Sequence, residues 1–311
     1  MGTPALWAVF NALVLGALAL DLGIFHRSAR RISFPEAAAW STVWVVLSLA
    51  FNLWIFETHG RAPALEFLTG YVVEKSLSLD NVFIFLLVFR AFGVEPPLQH
   101  RVLHWGLLGA LILRGAMIGI GTALVQRFAW VLYPFGGFLL ISGMRLLWRG
   151  QRDFRPEHNP ILRWARRVLP ISPKHAPETF FVVEDGRRMA TSLFLALLVL
   201  EITDLFFAVD SIPAVFGITR DPFIVYSSNV CAILGLRAFY FLLAGALPYF
   251  RYLDAGVSAV LMFMGGKMLA EPWFHLPTLQ ALGVICLIVG VAVVASIFAA
   301  KRTNQTDGQI H

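Results

Sequence analysis

The sequence predicts an all-α polytopic membrane protein of about nine transmembrane helices with an inverted repeat of three (helices 3–5 and 6–8). Three observations carry that prediction. Hydrophobic residues make up 58% of the 311, and the mean hydropathy is +0.72, far above a soluble domain. Apolar runs of about 20 residues, the length one helix needs to cross a bilayer, recur along nearly the whole chain. The third observation is a duplicated pattern, set out below. Nothing marks off a soluble domain, so residues 1–311 read as one transmembrane unit.

The first apolar run, 5–25, contains Asp21 and is followed by Arg27, Arg30 and Arg31. It lacks the basic start and small-residue cleavage site of a secretory signal and reads as a retained span. Helix 2 covers 38–57, and helices 3, 4 and 5 cover 64–90, 101–125 and 127–148. Helices 6 to 9 cover 191–218, 222–246, 253–271 and 277–299. The one long loop, 149–190, carries a short amphipathic helix, Ile161–Leu169, suited to a membrane surface. After it, Phe180–Met189 reads as a small hairpin turning at Asp185-Gly186.

Basic residues set the orientation. With the N-terminus outside and the C-terminus cytoplasmic, seventeen Lys and Arg fall on the cytoplasmic side. Only Arg61, Arg127 and Arg220 fall opposite. The net charge of +6 therefore reflects topology in a plasma (inner) membrane, with the lipid bilayer as partner and no nucleic acid.

Two predicted helices share an acidic signature: Glu74-Lys-Ser-Leu-Ser-Leu-Asp80-Asn81-Val and Asp204-Leu-Phe-Phe-Ala-Val-Asp210-Ser211-Ile. A charged carboxylate at the bilayer centre is costly by about 3 kcal/mol on insertion scales, so such groups mark function. The duplication extends further. Ala110-Leu-Ile-Leu-Arg114 resembles Ile233-Leu-Gly-Leu-Arg237, and Phe138–Arg145 resembles Val260–Lys267, at offsets of 130, 123 and 122 residues from the acidic pair onward. Because three helices is an odd number, the second copy is inverted in the membrane, an architecture common among transporters.

On an ideal helix Glu74, Ser78 and Asn81 share one face, as do Glu201, Asp204 and Ser211. Asp80 and Asp210 lie about 120° further round. Pro213 cannot donate to the carbonyl of Val209 and leaves an oxygen free beside Asp210. Glu74, Asp80, Asn81, Glu201, Asp204, Asp210 and Ser211 thus form an all-oxygen set, suited to hard divalent ions such as Mn²⁺, Mg²⁺ or Ca²⁺. Lys75, Arg114, Arg237 and Lys267 are the deepest bases and, with Asp21, read as charge-balancing or gating groups. Counted with the acids they leave a deficit that one divalent ion would balance. Ion pairs that simply hold helices together are the plainer reading of these charges. His104 reads as interfacial, and Cys231 and Cys286 read as small core residues with no metal-like spacing.

The acidic segments, together with Ser228-Asn-Val-Cys-Ala-Ile-Leu-Gly-Leu-Arg-Ala238, resemble the hallmark motifs of the TerC family of integral membrane proteins, most nearly its Alx branch. The resemblance runs from about residue 5 to 300. It implies manganese export from the cytoplasm, with links to tellurite resistance and alkaline-pH response. It maps the family's membrane acids onto Glu74, Asp80, Asp204 and Asp210. The expectation is a secondary transporter with Mn²⁺ as the moved ion, no permanent cofactor, protons as the counter-ion and no enzymatic activity. No GxxxxGK[ST] loop is present to drive a nucleotide-powered pump. The alternative is a membrane sensor or partner-binding scaffold acting through the 149–190 loop.

Overall fold

The computed structural model describes residues 2–25, 33–149, 179–184, 187–246, 252–274 and 276–307. Among them run ten α-helices: α1 (Pro4–Phe25), α2 (Phe34–His59), α3 (Arg61–Ala91), α4 (Pro96–Arg127), α5 (Leu132–Arg149), α6 (Ser192–Phe216), α7 (Pro222–Leu234), α8 (Leu236–Ala246), α9 (Leu253–Ala270) and α10 (Thr278–Asp307). Helices α2, α4, α6 and α10 are long and apolar enough to cross a membrane, and α7 with α8 makes a fifth such segment. α1, α5 and α9 contain shorter apolar helices. Ile112, Ile120, Leu287 and Phe298 are each more than 60% exposed, an outward apolar surface that lipid must cover. The chain is an all-α integral membrane protein.

One predicted helix, 222–246, is two. α7 starts at Asp221, whose carboxylate accepts from the backbone N–H groups of Phe223 and Ile224, with Pro222 at the first helical position. It ends at Gly235, and α8 leaves at 43°. A Cβ at Gly235 would lie 3.0 Å from the Trp44 Cβ and 3.3 Å from the Lys75 Nζ, so the bend fits a residue with no side chain. The hairpin is present as β1 (Phe181–Glu184) and β2 (Arg187–Ala190), paired antiparallel with Glu184 opposite Arg187. The predicted surface helix at 161–169 and the hairpin's Asp-Gly turn lie outside the described residues.

Some of the contacts among α3–α5, α6, α7 and α9 come in matched pairs. α3 lies against α7 as α4 lies against α6, and α3 and α5 lie against α6 and α9 respectively. Arg114 meets Asp204 while Gly121 meets Phe216, so α4 and α6 run parallel. Gly136 faces Met268 and Gly143 faces Met262, so α5 and α9 run antiparallel. Gly143 and Gly265, at matching places in the two similar segments, both sit in that seam. A Cβ on Gly265 would come within 2.6 Å of the Gly136 carbonyl and 2.7 Å of the Leu140 nitrogen. Backbone cannot yield as a side chain can. Gly265→Val should therefore lower the melting temperature by an overpacking cost of about 1–3 kcal/mol or more. Gly266→Ala, with nothing within 4 Å of its Cβ, should not. Equal melting of the two variants would refute close helix approach at this seam.

Candidate functional site

The centre of the molecule is a guanidinium held by both halves of the duplicated pattern. Arg114, 1% exposed, comes from the middle of α4. Its Nε donates to Asp204 Oδ2 at 3.1 Å and its Nη2 to Oδ1 at 2.8 Å, a bidentate pair. Its Nη1 donates to Glu74, to Asn229 Oδ1 at 3.3 Å and, at 3.5 Å, to the Ser211 hydroxyl. Glu74 and Asp204 open the two acidic signatures, so one cation bridges equivalent carboxylates of α3 and α6. Asn229, in α7, carries no charge or spacing that sets it apart in the sequence, although it lies inside a motif that carries the family resemblance.

Arg114 leaves other oxygens unsatisfied. Glu74 Oε2, Ser78 Oγ and Asn81 Oδ1 are buried and have no hydrogen-bond partner. Glu74 and Asn81 line a cavity of about 140 Å³ together with Arg114, Ser142, Phe207 and Ser211. That is well above the ~15 Å³ one water needs. A buried acceptor without a donor costs about 1–3 kcal/mol, so these oxygens call for water or a cation. Among the described residues no three His, Cys, Asp or Glu side chains come together to hold a metal. The guanidinium stands between Glu74 and Asp204. The side chains of Asp21, Asp80 and Asp210 lie outside the described residues.

The remaining predicted residues are dispersed. Glu201, partly buried, packs on Gly109 of α4, where any Cβ would collide with its carboxylate, and its Oε2 has no partner. Arg237 is 5% exposed and lines a small cavity with Asp204. Two bases depart from the expectation of pairing with the intramembrane acids. Lys75 donates to the Ala232 carbonyl at 3.2 Å and lies 4.7 Å from the centre of the Phe239 ring. Lys267 donates to the Gly217 carbonyl at 2.6 Å and sits 3.8 Å from Glu271. Helix ends and breaks expose carbonyls that no backbone donor reaches, and these ammonium groups take them. His104 is 6% exposed and packs edge-on to Trp105.

A multi-pass helical membrane protein with a buried, charged and partly unsatisfied centre is the class these features define. The model of the TerC family of integral membrane proteins matches residues 58–304, and the chain belongs to that family. An uncharacterized membrane protein of Myxococcus xanthus is 47% identical over 99% of this chain and 96% of its own length. The Alx proteins of Escherichia coli strain K12 and of Shigella flexneri, named as proposed membrane-bound redox modulators, are each 44% identical over 99% of both chains. No solved structure matches the chain.

Proposed function

We propose that this protein is a secondary transporter that exports a divalent cation, manganese, from the cytoplasm. The observation that carries the reading is the pair of unpartnered buried oxygens, Glu74 Oε2 and Asn81 Oδ1, on one cavity between α3 and α6. Hard oxygen donors of this kind suit Mn²⁺, and the family resemblance singles it out. Asp80, Asp210 and Ser211 join the site as neighbours of its lining or as lining itself, and Glu201 as a carboxylate one turn before Asp204. The matched packing of α3–α5 and α6–α9 supports an inverted repeat, with the site where the copies meet.

Moving two charges outward against an inside-negative potential costs about 4.6 kcal/mol per 100 mV, twice the single-charge value. Protons returning through the same carboxylates would supply it. Ligands must be deprotonated to bind metal, so manganese binding to the purified protein should weaken as pH falls. In liposomes, manganese movement should drive protons the opposite way. Metal flux with no proton movement would leave a uniporter, and no metal flux at all would end the transport reading. The names of the Alx relatives favour a second reading, in redox control. It predicts a redox phenotype that survives neutralisation of Glu74 and Asp80 and is lost in Cys231→Ser or Cys286→Ser.

A further inference from the structure

A second chamber lies further along the helices that form the central cavity. It measures about 390 Å³, and its lining includes Glu66, Tyr133, Thr219, Arg220, Lys267 and Glu271. Both chambers are lined by α3, α6 and the α9 region. On α3 the step from Glu74 to Glu66 is eight residues, about 12 Å. On α6 the step from Ser211 to Phe216 is about 8 Å, and on α9 from Leu261 to Lys267 about 9 Å. The order along each helix agrees with α3 running against α6, since Glu66 accepts from the Thr219 hydroxyl at 2.6 Å. Val73, Ala214 and Met264, none measurably exposed, belong to one cluster between these levels. Their positions along the same three helices put apolar side chains at the height where a septum between the two chambers would stand. Trp130 lines the second chamber, and Trp273 lies close to it in sequence, beyond α9; both are exposed, as aromatic residues at a membrane–water boundary are.

We infer that this chamber is a terminal station of the ion path, where a partly hydrated divalent cation is held by Glu66 and Glu271 after crossing the septum. The inference rests on the transport reading above and adds the route. Its charges suit release: two carboxylates attract the ion, and Arg220 and Lys267 keep the hold weak. Lys267 also ties α9 to the end of α6 through the Gly217 carbonyl, and Met268 packs where a Gly217 Cβ would stand. Movement of α6 past α9 would therefore open the septum and loosen the chamber together. The basic-residue bias expected from sequence puts this face outside.

The test is a cysteine at Ile218, which lines the chamber, in a Cys286→Ser background reconstituted in liposomes. A membrane-impermeant thiol reagent should label Ile218→Cys, and Mn²⁺ at ten times its dissociation constant should slow labelling about tenfold by occupancy. Adding Glu66→Gln and Glu271→Gln should abolish that protection while the cysteine still labels. Labelling unaffected by Mn²⁺ in protein that still moves the metal would overturn the station and leave transport standing. Protection that persists in the double Gln variant would overturn the assignment of the two carboxylates. Protection in protein that moves no metal would sink the transport reading and leave a surface site, which also ends the station as proposed.

Discussion

Arg114→Met should cripple the protein's stability, and neutralising its two carboxylate partners should restore the fold without restoring transport. Removing one partner of a buried ion pair typically costs about 3–5 kcal/mol, because the charge left behind has neither solvent nor counter-ion. Arg114→Met strands two such charges, Glu74 at 0% and Asp204 at 3% exposure. A triple variant, Arg114→Met with Glu74→Gln and Asp204→Asn, has no stranded charge and should melt near the wild type. It should also fail to move manganese, since the carboxylates are gone. Arg114→Lys should fall between, as an ammonium cannot form the planar fork that holds both Asp204 oxygens. Thermal melts of detergent-purified protein and liposome flux, read together, make the check. Wild-type melting and flux for Arg114→Met would show that the bridge between α3 and α6 is dispensable.

Part of this bridge is legible in the amino-acid sequence. The acidic signature, repeated at one spacing, marks Glu74 and Asp204 as equivalents because helix periodicity is a local property of the chain. The similar segments around Arg114 and Arg237 set both bases apart. Local pattern does not say which acids meet which base. Arg114 is 40 residues from Glu74 and 90 from Asp204, and helix packing alone brings them together. The same holds for Asn229, 115 residues away. Lys75 departs from the charge-pairing expectation for a related reason. Counting charges assumes that a buried ammonium finds a carboxylate, yet Lys75 lies beside the break between α7 and α8 and takes the Ala232 carbonyl, while Lys267 is shared between the Gly217 carbonyl and Glu271. The break at Gly235 is itself hidden inside a continuous apolar run, with only one glycine as a signal.

Asp80→Asn and Asp210→Asn, taken separately, should each leave an inserted, folded protein that no longer lowers cellular manganese. Each Asp is the acid followed directly by a small polar residue, Asn81 or Ser211, and both of those residues line the central cavity. Backbone continuity places Asp80 in α3 and Asp210 in α6 at the level of that cavity, on helices that run antiparallel. Asn keeps the size of Asp and one of its oxygens but removes the charge, so packing should hold while attraction for a divalent ion falls. Altering an outer-shell partner of a metal ligand commonly costs 10–100-fold in affinity, and loss of a ligand charge should reach at least about 100-fold. Membrane abundance, melting temperature and manganese content of cells would be measured side by side. The expected result is unchanged abundance and melting with export lost, and Asp210→Asn should match Asp80→Asn because the two positions match in the repeated acidic signature. Full export by both variants would remove these acids from the path and confine the ion to Glu74, Asn81 and Ser211. Loss of abundance rather than export would make them structural instead.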